Sequence, residues 1–151
     1  MDKHMTAREY LEQAYRLDQR INAKLEQIMQ LRSLSQRCTV AFGSEHVSHT
    51  RNVSSMEDVV VKIVIAEKKL DEQIDRFVAL KEEIQQTIQL LPDAESQAVL
   101  ELRYLAMNGW TDIAGKLNLS RSHVHRIHTD ALARIDRILE TRSAVNNEYH
   151  D

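Results

Sequence analysis

Between Arg121 and His128 the run RSHVHRIH places three histidines and two arginines within eight residues. Three chemistries use such a set. Converging imidazoles can hold zinc. An imidazole beside a nucleophile and an orienting acid can move protons. Arginines with small polar side chains along one helix face can contact phosphates and base edges. Spacing decides among them. At about 100° per residue, His123 and His125 lie roughly 160° apart around a helix, so His123, His125 and His128 do not converge on one ion. No Ser or Cys nucleophile comes with a recognisable base and acid, and no glycine-rich phosphate loop is present. Neither enzymatic activity nor a metal or cofactor is therefore expected.

The helical arrangement favours the third chemistry. With Ser120 as cap, Val124, Ile127, Ala131 and Ile135 fall within an arc of roughly 80° and form the inward face. Arg121, Ser122, His125, Arg126 and Thr129 occupy a separate arc of about 140° in the first turns. Such a face suits a DNA major groove, and the free amides at the helix start add an anion site. The competing reading is a solvated polar face, since any surface helix has one. Residues 92–137 are charge-balanced, with six Lys/Arg against six Asp/Glu.

The elements that must position this helix precede it. LPDAESQAVLELRYLAMNG predicts a helix begun by Pro92 at its first turn, with Ala98, Val99, Leu102 and Leu105 inward and Gly109 ending it. TDIAGKLN predicts a short helix capped by Thr111, with Ile113, Ala114 and Leu117 inward and Asn118 in the left-handed conformation of a tight turn. Three helices with a turn of about four residues between the last two give a helix-turn-helix domain over 91–140. Residues 141–151 are expected to be a frayed tail.

Residues 1–90 read differently. Thr6 and Glu9 are spaced as a capping box, and Ala14, Leu17, Ile21, Leu25, Ile28 and Leu31 continue a helix over 6–36, roughly 45 Å long at 1.5 Å per residue. CTVAFGSEHVSHTRNVSS has no period and predicts a loop over 38–54. His46 and His49 within it lack further ligands. Ser54 or Ser55 is placed to cap a second helix ending before Pro92. Met56, Val60, Ile63, Glu67, Leu70, Ile74, Phe77, Lys81, Ile84, Ile88 and Leu91 step along it by alternating fours and threes, a coiled-coil seam. The expected fold is all-α: a long antiparallel helical hairpin followed by a small helix-turn-helix domain. Val59, Val61, Ile65 and Val78 lie off that seam, which points to a homodimer or higher oligomer, or to docking on another protein.

Composition bounds these expectations. The 151 residues contain one proline and three glycines, which suits long helices. A formal charge of −3 excludes a protein that coats nucleic acid through bulk attraction. Cys38 is the single cysteine, so no intrachain disulfide forms. No apolar run approaches the roughly 18 residues of a membrane span and no signal peptide opens the chain. A soluble, cytoplasmic protein is expected. Met5 offers a second start, and with it the residues before it would be a cloning remnant.

The segment LP…AVLELRYL…WTDIAGKLNLSRSHVHRIHTDALARI resembles region 4 of the sigma-70 family, which binds the promoter −35 element. The resemblance implies DNA-reading roles for Arg121, Ser122, His125 and Arg126, and places Arg103 and Thr111 near the phosphate backbone. Asn118 stands where the family usually has glycine. Gly115 lies inside the short helix, at a cost of up to about 1 kcal/mol. His125 fills a slot often held by Arg or Lys, which implies a different base preference or weaker, pH-sensitive binding. Nothing in the chain resembles the sigma regions that read the −10 element or hold the polymerase clamp. Together with TAREYLEQAYRLDQRI and MEDVVVKIV, the chain resembles the sigma-like, ArpU-type transcriptional regulators of phages and integrated elements in Gram-positive bacteria. That implies a regulator acting on double-stranded DNA in the bacterial host, with RNA polymerase as a further partner. The alternative is an interaction protein whose hairpin engages polymerase or another regulator.

Overall fold

A computed structural model of the chain describes residues 4–41 and 49–148, with the backbone path alone for 38–41 and 49–55. The described residues form five α-helices, α1 (Ala7–Ala41), α2 (His49–Ile88), α3 (Ala94–Leu100), α4 (Trp110–Leu117) and α5 (Arg121–Glu148), with a π-helical turn at Glu101–Leu105 and no strand. The all-α expectation holds.

Local chemistry starts α1 as its sequence implies. The Thr6 amide donates to Glu9 Oε2 at 2.9 Å and the Glu9 amide donates to Thr6 Oγ1 at 3.2 Å, a reciprocal capping box. The loop expected over 38–54 is helical at its two ends, and residues 42–48 lie outside the described residues. Helix α1 continues to Ala41 and α2 begins at His49, so Ser54 and Ser55 lie inside a helix and neither opens it. Polar composition misled here: Thr, Ser and Asn cost a helix only tenths of a kcal/mol each, about 0.5 at most, and two paired helices absorb that. His46 lies outside the described residues.

Helices α1 and α2 pair within each of two compact units. Tyr10 near the start of α1 meets Glu83 and Thr87 near the end of α2, while Arg32 pairs with Glu67. The chain divides into two compact units. In the unit Leu17–Phe77, Ile21, Ile28 and Leu70 form the buried core, with Leu17, Ala66 and Phe77 against it. The α2 seam departs from the expected register by one position on alternate steps. Val59, Ile63, Ala66, Leu70, Gln73, Phe77, Leu80, Ile84 and Thr87 are buried or half-buried and step by fours and threes, while Met56, Glu67, Lys81, Ile88 and Leu91 of the expected line are buried or half-buried beside them. Val60 and Ile74, assigned to the seam by spacing, are 46 % and 37 % exposed, whereas Val59 falls to 8 %. Gln73 Oε1 is buried in this seam without a hydrogen-bond partner.

The other unit joins the described residues up to Arg16 to those from Val78 onward, so it crosses the boundary expected at residue 90. Ala7, Tyr10, Leu11 and Ala14 of α1 are buried, as are Ile84, Ile88, Leu91, Leu100 and Ile135. Two polar clamps tie this unit together. Asp136 Oδ1 accepts from the Ala7 amide at 2.6 Å, at the open start of α1. Arg142 Nη1 donates to Thr87 Oγ1 at 2.8 Å, and Tyr10 Oη lies 3.0 Å from the same oxygen. Residues 141–148, expected to fray, are helical: α5 runs through Glu148, and Arg142 makes the bond to Thr87.

Candidate nucleic-acid interface

The C-terminal three helices pack around Val99, Ile113, Ala114 and Val124, with Leu102, Trp110, Leu117, Leu119 and Ile127 closing the edges. Asp93 opens α3 by accepting from the Ser96 amide at 3.0 Å. It also accepts from Arg134 Nη1 at 2.7 Å, tying α5 to the start of α3. The hydrogen bond from Ser96, helped by the Arg134 charge, holds the Asp93 carboxyl below its ordinary value. Pro92 thus precedes the cap and lies outside the first helical turn.

Gly109 does not end that helix in a left-handed conformation. The α-helical path gives way to the π-helical turn at Glu101, and Met107 takes the positive φ of 58°. Asn108 then organises the turn. Its amide and its side-chain nitrogen both donate to the Leu102 carbonyl, at 2.9 and 3.2 Å, and its Oδ1 accepts from Lys116 Nζ at 2.7 Å. Gly109, extended at φ −72°, is the N-cap of α4, so Thr111 lies inside the first turn and does not cap it.

The turn between α4 and α5 follows the sequence closely. Asn118 adopts φ 53°, ψ 42°, and the Leu119 amide reaches back to the Ala114 carbonyl at 3.0 Å, a left-handed helix stop. Ser120 Oγ accepts from the His123 amide at 3.2 Å and starts α5.

On α5, Val124, Ala131 and Ile135 are fully buried and Ile127 is half-buried. Arg121, Ser122, His125, Arg126 and Thr129 are exposed, as are Ser120 and Thr111. The Thr129 hydroxyl donates to the His125 carbonyl at 2.9 Å, so toward a ligand it is an acceptor. Arg103 is half-buried and its Nη1 donates to the Asn108 carbonyl at 3.1 Å. Its guanidinium also lies 4.4 Å from the Trp110 ring centre.

Trp110 joins groups whose connection the spacing did not reveal. Its ring centre is 4.5 Å from that of His125 and 4.7 Å from that of His128. His128 is 3 % exposed and shares a 2.7 Å hydrogen bond between its Nε2 and Tyr104 Oη. Burial, followed by the charges of Arg8, Arg103 and His125, lowers the His128 pKa to about 4. It is a neutral core residue. The helical wheel carries a trace of this, because His128 falls only about 20° from Ile135 at 100° per residue. Its polar type masks that position.

Among the described residues no group of three His, Cys, Asp or Glu is placed to hold a metal ion, and no helix is long and apolar enough to cross a membrane. Neither a curated protein nor a solved structure matches the chain. Residues 43–136, which take in α2, the three-helix core and the first turns of α5, match the family described as protein of unknown function (DUF1492), and the chain belongs to that family.

Proposed function

We propose that this chain is a non-enzymatic, sequence-specific DNA-binding transcriptional regulator of phage or mobile-element genes that reads the major groove with α5. One observation carries this: Arg121, Ser122, His125, Arg126 and Thr129 share an exposed face on the first turns of α5, opposite the buried Val124, Ala131 and Ile135. The helix start is fixed by the Ser120 cap and the Asn118 turn, so the face is held by a rigid scaffold. Arg121 and Arg126 would pair with guanine edges or phosphates, and Ser122 and His125 would supply shorter polar contacts. Arg103 would act indirectly, since its Nη1 serves the Asn108 turn and its cation packs on Trp110, against which His125 also rests.

Alanine at Arg121 and at Arg126 tests this on a DNA selected by the wild-type chain. Each substitution is expected to weaken binding by about ten- to a hundredfold, with the helical circular dichroism unchanged because both side chains are exposed. Unchanged affinity in the folded double variant would contradict the proposal. It would favour a hairpin that acts on RNA polymerase or another regulator.

A further inference from the structure

Helix α2 has a second apolar face that α1 leaves open. Val60, Val61, Val64 and Ile65 are 46, 55, 59 and 50 % exposed. At 100° per residue their mean direction lies about 160° from the line of Val59, Ile63, Ala66 and Leu70 that forms the seam. Four adjacent β-branched side chains in water are a costly surface for a polar helix to carry. Charges close both ends of the patch: Glu57 sits one turn before it and Lys68 one turn after, both exposed and near the patch centreline.

The order of these six residues is two-fold symmetric about the midpoint between Lys62 and Ile63. Glu57 mirrors Lys68, Val60 mirrors Ile65, and Val61 mirrors Val64. Laid antiparallel on its own copy about that midpoint, the face sets each acid against a base and branched aliphatic against branched aliphatic. A parallel pairing would set Glu57 against Glu57 and Lys68 against Lys68. Partners of other sequence require no such internal symmetry, whereas an isologous interface requires that residue i meet j while j meets i.

We propose that a second copy of this chain covers the outer face of α2, as an antiparallel dimer whose two-fold axis passes between Lys62 and Ile63. The aliphatic side chains of both copies form the dry centre, and two Glu57–Lys68 pairs fix register and direction. This dimer does not rest on the DNA-reading proposal, and its test contains no DNA.

Sedimentation of the full-length chain at micromolar concentrations is expected to give twice the monomer mass. Glu57→Lys alone and Lys68→Glu alone each put like charges at both ends and are expected to raise the dissociation constant about tenfold. An equimolar mixture of the two single variants restores every pair across a mixed dimer. It is therefore expected to associate as tightly as wild type, and so is the double variant. Both residues are exposed, so helical content should not change. Val61→Asp is expected to give monomers. A monomeric wild type, charge variants that dimerise unaltered, or a mixture no tighter than its components would each overturn the proposal.

Discussion

A histidine that is neutral at physiological pH sits in the core behind the candidate DNA face. His128 is held at a pKa of about 4, against 6.5 for the free side chain. The unfolded chain therefore takes up this proton first as pH falls. The stability that the neutral ring contributes is fully present above about pH 6.5 and is lost on the way down to about 4. At 1.36 kcal/mol per unit, that loss is about 3 kcal/mol. Urea unfolding midpoints between pH 7 and pH 4.5 should show it as a steep decline. Tyr104→Phe alone removes one partner of a buried hydrogen bond and should cost about 1–2 kcal/mol at pH 7. Tyr104→Phe with His128→Leu removes both polar groups and should flatten the decline; an unaltered slope would mean that other groups cause it. The exposed α5 face of Arg121, Ser122, His125, Arg126 and Thr129 was legible from helical spacing alone. The stack of Arg103, Trp110 and His125 was not, because it joins three separate elements through a turn that no periodicity describes.

Among the elements, stops and starts set by local chemistry were readable: the Thr6–Glu9 box, the left-handed Asn118 and the Ser120 cap. The junction at Gly109 departs from its sequence expectation because Asn108 and Met107 end the preceding turn, through bonds that glycine counting does not see. Gly115 lies in α4 with open space where a Cβ would be. Gly115→Ala should therefore stabilise the chain by about 0.5–1 kcal/mol. A thermal melt should show that as a rise of about 2–4 °C, and a lower midpoint would mean that the site is more crowded than it looks. On α2 the seam register was ambiguous because the line through Val59, Ala66 and Gln73 and the line through Val60, Glu67 and Ile74 share Ile63, Leu70, Phe77 and Ile84. Spacing alone gives no reason to choose between them. Gln73 marks the line that α1 covers, with Oε1 buried and unpaired. Gln73→Leu should stabilise the hairpin by about 1 kcal/mol, read from the denaturation midpoint at unchanged m-value.

At the scale of the whole molecule, the start of α1 and the end of α2 share a core with the three C-terminal helices. Beside buried Leu11, Ile84 and Ile88, the Asp136–Ala7 and Arg142–Thr87 bonds join residues far apart in sequence, which no local pattern could reveal. Losing the Arg142 anchor should cost less than losing the core around Ile84 and Ile88. Arg142→Ala is expected to destabilise by about 1 kcal/mol and to raise amide exchange in the last turns of α5 first. A two-fold dimer with a DNA-reading helix on each copy would read two half-sites of inverted sequence. Sequence-specific reading of DNA by α5 is the proposed function. Its most direct test is selection of random duplex DNA by the purified chain at two salt concentrations, followed by sequencing of the retained pool. An enriched motif that survives the higher salt, arranged as an inverted repeat and lost with Arg121→Ala and Arg126→Ala together, is the expected result. Retention without a shared motif, falling away uniformly with salt, would contradict it.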